Sequence, residues 1–262
     1  MKDPVHIAIT GASGGLGRAL VKCYAAPGVH FFLCGRNSQE LEKTAHIAKE
    51  KGAELNLELF DVTDPQALEN WLTASDGAKP LDLVVANAGI CRGIGDDGLE
   101  SPKDMLQTFE VNTKAMLHTA IVAASLMLPR KKGQVALISS QAARLSLVNA
   151  PSYSASKAAV RNYGHSLRCS MADKGLEVTV VCPGYLKTPM LETFTGPLPG
   201  TWDVDKAANY IVKKLRLGPR EIKFPWILNR MIDFLDFLPQ SWAEGMSRRF
   251  SFKVKPANEK KK

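Results

Sequence analysis

Apolar residues fall along this chain in two alternating rhythms. Seven short, nearly continuous apolar runs, at 5–9, 30–34, 55–60, 81–86, 134–139, 176–182 and 221–224, read as strands. Between them lie stretches with helical spacing at 16–26, 38–51, 65–74, 102–128, 150–171 and 204–215. Ser38 is the expected N-cap of the second helix, Pro65 stands in the first turn of the third, and 102–128 is expected in two pieces. Strands that read as buried on both faces, each followed by a helix, are the pattern of a doubly wound α/β fold. Its seven-stranded sheet is expected to be mostly or wholly parallel.

The rhythm changes after residue 225. Ile227, Leu228, Met231, Ile232, Leu235 and Leu238 form a wide apolar arc, with Asn229, Asp233, Asp236 and Gln240 on a narrow polar one. Pro239 then interrupts the helix. The expected organisation is therefore one α/β domain over 1–225, a C-terminal amphipathic helical extension over 226–252, and a basic, disordered tail over 253–262.

Composition narrows the function classes. At 262 residues and 45% hydrophobic, the chain can bury one large core. It opens on a strand-like run with no apolar leader segment, and the apolar run at 115–128 is too short to span a bilayer. Its five cysteines are scattered, with no CxxC and no Cys/His cluster, so a reduced, cytoplasmic setting is expected and no metal site. The net charge of +8 is concentrated at the end, where 248–262 holds seven Lys/Arg against Glu259. Such a tail binds nucleic acid or an anionic membrane surface, or is simply solvated. The body carries no nucleic-acid recognition motif, so no specific nucleic-acid binding is expected.

Two stretches carry candidate chemistry. Thr10-Gly11-Ala12-Ser13-Gly14-Gly15-Leu16-Gly17 follows the first strand and opens the first helix. Glycines there let the backbone approach a pyrophosphate, and the helix N-terminus supplies N–H donors. At the end of the second strand, Arg36 and Asn37 stand where an acid would otherwise accept from the ribose 2′-hydroxyl of NAD. Arg36 either pairs with a phosphate and stacks on adenine, favouring NADP(H) over NAD(H), or is a solvated loop residue. Asp61, followed by Val62, either accepts from the adenine amino group or caps a turn. Tyr153 and Lys157 are four apart on one helix face, where a fixed ammonium favours the phenolate and permits proton exchange with an alcohol or carbonyl.

Taken together, 10–17, Asn87-Ala88-Gly89, Asn112, Ser140, Tyr153 with Lys157, and Pro183-Gly184 with Thr188 resemble the short-chain dehydrogenase/reductase family in its short, single-domain, Rossmann-type form, over about 4–225. Ser140 stands 13 residues before Tyr153, as the family requires; Ser139 does not. The chain departs in having Ala86 before Asn87, where many members have a second Asn, and Gly14 where NADP-preferring members often carry Lys or Arg. The resemblance implies that Tyr153 is the proton donor in reduction and the base in oxidation. It implies that Lys157 holds the nicotinamide ribose and lowers the Tyr153 pKa, and that Ser140 bonds the reacting oxygen. Asn112 would kink a long helix and position a water that relays protons to Lys157. Gly11, Ser13, Gly15, Leu16 and Gly17 would hold the pyrophosphate, Asn87–Gly89 would line the adenosine ribose, and Thr188 with the backbone near Leu186 would fix the carboxamide. It also implies a homodimer or homotetramer using the helices near 109–128 and 151–171.

Pocket walls in such folds come from loops at the C-terminal strand ends, here 90–101, 141–150 and 185–202. The second is mostly apolar apart from Arg144, and the third, with Leu191, Phe194 and several Gly and Pro, reads as a lid. The expected substrate is a carbonyl or secondary alcohol on a mainly apolar, lipid-like or steroid-like body. Trp242, Met246, Phe250 and Phe252 among Arg248, Arg249, Lys253 and Lys255 suit peripheral contact with an anionic membrane. The same segment suits a lid or a subunit contact. The alternative function is a non-catalytic dinucleotide-binding regulator on the same fold.

Overall fold

The structure, a computed structural model, describes residues 3–196, 198–235 and 253–254. Seven parallel strands form the main sheet: β1 (His6–Thr10), β2 (His30–Gly35), β3 (Glu54–Leu59), β4 (Leu83–Ala86), β5 (Gly133–Ile138), β6 (Leu176–Pro183) and β8 (Glu221–Phe224). Their order is β3-β2-β1-β4-β5-β6-β8, so the expected doubly wound Rossmann-type sheet is present and wholly parallel. The chain reverses direction across the sheet between β1 and β4, and the crevice outside their carboxyl ends is where such folds bind ligands.

Two apolar layers cover the sheet. Side chains of β1 and β2 such as Ile7, Ile9, Phe31 and Leu33 meet α1 (Gly15–Tyr24), α2 (Ser38–Glu50) and α7 (Val204–Leu215). Their neighbours Ala8, Phe32 and Cys34 meet α3 (Pro65–Ala78), α5 (Met116–Met127) and α6 (Pro151–Met171) on the other face. This period-2 sorting of nearly all-apolar strands is why they read as continuous runs. The exception is β3, an edge strand whose Glu54, Glu58 and exposed Leu59 face water. Charges there discourage pairing with another sheet.

Helix boundaries depart from the expectations in instructive ways. Asn37, not Ser38, caps α2: its backbone is extended and its side chain accepts from the Glu40 N–H at 3.1 Å, leaving Ser38 already inside the helix. Asp64 caps α3, which runs on to Ala78 because nothing before Lys79 breaks it. The run at 102–128 is one helical path rather than two pieces. Between α4 (Pro102–Phe109) and α5 it widens into a π-helical turn over Glu110–Ala115 that contains Asn112. The uninterrupted path Pro102–Arg130 is long and apolar enough to cross a membrane, unlike the shorter run read from sequence. Half of its most apolar window is buried, however, with α5 packed on β4 and β5.

After β8 comes α8 (Trp226–Leu235). A second, two-stranded antiparallel sheet pairs β7 (Phe194–Thr195) with β9 (Lys253–Val254). A tail disordered from 253 onward is thus corrected at its first two residues. The rest of the tail and of the amphipathic extension beyond Leu235 lie outside the described residues.

Candidate active site

The glycine turn after β1 is an interlocking of backbones. Gly11 has φ +65°, and a Cβ there would stand 2.8 Å from the Ala88 Cα. A Cβ on Gly17 would come within 2.5 Å of the Gly11 carbonyl oxygen, and one on Gly15 within 2.6 Å of Thr188 Cγ2. Absent side chains therefore let the turn, the loop after β4 and the segment after β6 converge. Thr10 Oγ1 accepts from the N–H groups of Asn87 and Ala88, while Asn87 Nδ2 donates to the carbonyls of Thr10 and Gly11. The N-terminus of α1 has no side-chain cap and no acid in its first turn, so its N–H groups are directed at the crevice.

These elements wall a cavity of about 730 Å³ running from the β2 end to α8. Among the predicted residues, Gly11, Ser13, Gly15, Leu16, Arg36, Asn37, Asp61, Val62, Asn87, Ala88, Gly89, Ser140, Tyr153, Lys157, Pro183, Gly184, Leu186 and Thr188 all line it. Gly17 and Asn112 do not. Gly17 acts through packing, and Asn112 lies fully buried behind the wall.

At the β2 end, Arg36 pairs with Asp61 at 3.1 Å, both half-exposed. Asp61 Oδ1 accepts from the backbone and hydroxyl of Thr63, so it stabilises its own turn, while Asp64 is the helix cap. Burial opposes its charge, but the Thr63 hydrogen bonds and then Arg36 hold the carboxyl below its ordinary value. Glu40, unnoticed in the sequence, also lines the cavity, yet its carboxylate is engaged by Arg18 and Lys43, each at 2.6 Å.

At the other end the two serines after β5 part company. Ser139 Oγ donates to the Lys157 carbonyl at 2.8 Å and so fastens α6 to the sheet. Ser140 faces the cavity alongside Tyr153 and accepts from the Ala142 N–H at 3.1 Å. Lys157 stands one turn along α6, its Nζ 5.9 Å from the Tyr153 ring centre, donating to the Ile138 carbonyl at 2.9 Å. Burial lowers the Lys157 pKa to about 8. Burial also raises the Tyr153 pKa above its ordinary value, and the neighbouring Ser140 only partly offsets this. The depression of Tyr153 expected from Lys157 is thus not found in the protein alone, where desolvation of the phenolate is the largest effect.

Asn112 secures this arrangement. Its Oδ1 accepts from the Ile90 N–H and its Nδ2 donates to the Ile90 carbonyl, both at 2.8 Å, and also to Ser156 Oγ at 3.2 Å. Ser156 in turn donates to the Tyr153 carbonyl. One amide thus ties the loop after β4 to the helix that carries Tyr153 and Lys157.

The cavity beyond Tyr153 is apolar, walled by Ile90, Leu145, Leu147, Tyr185, Leu191 and Phe194 from the three expected loops. Leu228 of α8 joins them. Leu228 and Ile232 of the apolar arc are buried, and beside them two residues of the polar arc reach protein partners: Asn229 accepts from Gln141, and Asp233 pairs with Arg144 at 2.6 Å. The exposed face carries Trp226, Ile227, Arg230 and Phe234, so part of the apolar arc faces water. Local periodicity does not foresee the Gln141 and Arg144 contacts.

Among the described residues there is no cluster of His, Cys, Asp or Glu suited to a metal ion. A dinucleotide does suit the cavity: close backbone at Gly11 and Gly15, free N–H groups at α1, a cation at Arg36 and one at Lys157.

A family model described as short chain dehydrogenase matches residues 5–197. An uncharacterized oxidoreductase of Myxococcus xanthus is 31% identical over 92% of this chain and 95% of its own. A putative ketoacyl reductase of granaticin polyketide synthesis from Streptomyces violaceoruber is 29% identical over 80% of this chain and 79% of its own. In fold, the chain resembles a short chain dehydrogenase/reductase from Burkholderia phymatum in complex with NAD, with a TM-score of 0.81 at 20% identity over 89% of this chain and 93% of that one. It also resembles a short-chain dehydrogenase from Sphingobium yanoikuyae in complex with NADPH, with a TM-score of 0.77 at 21% identity over 92% and 94%.

Proposed function

This chain belongs to the short-chain dehydrogenase family of oxidoreductases, and from that premise we propose that it interconverts a carbonyl and a secondary alcohol on a mainly apolar body, using NADP(H) in preference to NAD(H). One observation carries the reading: Ser140, Tyr153 and Lys157 line one wall where the glycine-walled and the apolar halves of a single cavity meet. A bound nicotinamide supplies or accepts the hydride. The protein's part is to hold the reacting oxygen and move its proton. Ser140 Oγ donates to the oxygen as it gains alkoxide character, and Tyr153 Oη protonates it; in oxidation the steps reverse. With its pKa raised by burial, the Tyr153 phenol is protonated through neutral pH, the state from which the acid in reduction starts.

The NADP(H) preference rests on charge at the β2 end. Arg36 is the cation nearest the expected 2′-position, and the one acid on α2 that reaches the cavity, Glu40, is occupied by Arg18 and Lys43. The test is oxidation of NADPH and NADH against ketones and aldehydes of rising chain length, with Arg36→Leu and Tyr153→Phe as controls. NADPH is expected to be favoured by about tenfold or more, a gap that Arg36→Leu narrows. Equal use of both cofactors by the wild type would remove the preference. Tight binding with no turnover would favour the regulator reading.

Lys157 makes the cofactor affinity pH-dependent. With its pKa lowered to about 8, the ammonium is present below that pH and lost above it. NADPH affinity should therefore fall as pH rises through that value, while Lys157→Met binds weakly throughout with no inflection. A wild-type affinity that stays flat for about one unit on either side would exclude this role for Lys157.

Peripheral membrane contact is a second proposal, favoured by α8. Trp226, Ile227 and Phe234 are 71%, 62% and 58% exposed on one helix face with Arg230 between them, and a strongly basic segment follows in sequence. Co-sedimentation with anionic vesicles is expected and should drop in a Trp226→Ser, Phe234→Ser double variant. Equal sedimentation of both proteins would eliminate this contact.

A further inference from the structure

Val254 is buried, at 4% exposure, in a small apolar cluster separate from the two layers on the sheet. Its companions come from all three loops that wall the substrate end of the cavity: Cys91 after β4, Leu147 and Ala150 after β5, Tyr185, Phe194 and Leu198 after β6, with Tyr153 packed alongside. Val254 does not line the cavity; it stands behind Leu147, Tyr185 and Phe194, which do. Its backbone pairs with Phe194, so β9 adds a strand to the lid itself. On the other side it presses on Gly93, where an added Cβ would fall 1.9 Å from the Val254 carbonyl oxygen. That carbonyl fits only because residue 93 is glycine.

We propose that β9 is a specificity clasp: the C-terminal strand holds the β7 lid against the loops after β4 and β5, and Val254 acts as a positioning residue that sets how far an apolar substrate extends past Tyr153. This inference rests on the oxidoreductase reading of the same site. Substrate loops without a core of their own keep one arrangement only if something buries their inner faces. Here a two-residue strand does so through main-chain pairing and one apolar side chain.

The clasp predicts a dependence on substrate length that general destabilisation would not produce. Gly93 has no left-handed backbone, so Gly93→Ala is tolerated locally but expels the Val254 carbonyl. Gly93→Ala and deletion of 253–262 should both raise KM about tenfold for ketones long enough to reach Phe194, and less than about twofold for the shortest. NADPH affinity and far-UV circular dichroism should be unchanged. An equal change in KM at every chain length, or none at any, overturns the proposal. A second arm needs no turnover. Thr195 and Lys253 are cross-strand partners, so a Thr195→Cys, Lys253→Cys variant should form a disulfide under mild oxidation, identified by peptide mass. In an active protein this bond should lower kcat reversibly, with dithiothreitol restoring it. Absence of the crosslink defeats the clasp whatever the activity. A wild type inactive on every ketone removes the oxidoreductase reading instead and leaves the crosslink to decide whether β9 sits on the lid.

Discussion

Tyr153→Phe is expected to lose turnover by about a thousandfold while still binding NADPH. The ring occupies the same space, so the packing around it with Leu147, Cys91 and Tyr185 is retained. What disappears is the hydroxyl that, in the proposed reaction, carries the proton. Ser140 alone still donates a hydrogen bond to the reacting oxygen, but the alkoxide that hydride transfer creates then takes its proton from water. The comparison to make is kcat with NADPH and the best ketone, alongside the NADPH dissociation constant. A variant that retains more than about a tenth of wild-type kcat would mean that another group supplies the proton. Lys157, with its pKa lowered to about 8, is the neighbour to suspect first; burial holds the Cys91 and Cys182 thiols and the Tyr185 phenol at about 12.

Asn112→Ala is expected to be costly in two currencies. It removes three hydrogen bonds and leaves the half-buried Ile90 N–H and C=O without their partner. Two orphaned backbone groups cost about 2–4 kcal/mol together. The π-helical turn that aims Asn112 at the loop loses its purpose, and the link through Ser156 to the Tyr153 backbone is broken. Thermal unfolding should move down accordingly, and kcat should fall further than the fraction of folded protein explains. Asn112→Asp separates the two effects. It keeps the acceptor for the Ile90 N–H but loses the donor to the Ile90 carbonyl, so its stability should fall between the other two. Unfolding of Asn112→Ala at the wild-type temperature would show that the Asn112 bonds are not structural.

The sheet was legible because it rests on local spacing: seven apolar runs with helices between them specify a doubly wound fold. Tyr153 and Lys157 were paired by one helix turn, whereas Ser140 was placed beside them only by the family resemblance; all three line the one cavity. What escaped the sequence reading is set by partners distant in the chain. Asn37 and Ser38 are both good caps, and only the path out of β2 selects the first. The partners of Asn229 and Asp233 on α8 are Gln141 and Arg144, more than eighty residues earlier in the chain. A two-residue strand at 253–254 has no periodicity to detect. The Tyr153 pKa was misjudged because a pairwise charge argument left out burial.

The paired serines after β5 bear on how this site is kept accurate. A slip of β5 by one residue would still offer a hydroxyl to the cavity, since Ser139 would take the place of Ser140. Chemistry alone would barely notice the error. Packing would notice it throughout the strand: Ala136 and Ile138 belong to one apolar layer, Val135 and Leu137 to the other, and the buried Gln134 amide would lose the Leu215 carbonyl. The register that presents Ser140 to the cavity is thus guarded by side chains that lie away from it, in the two layers on either face of the sheet.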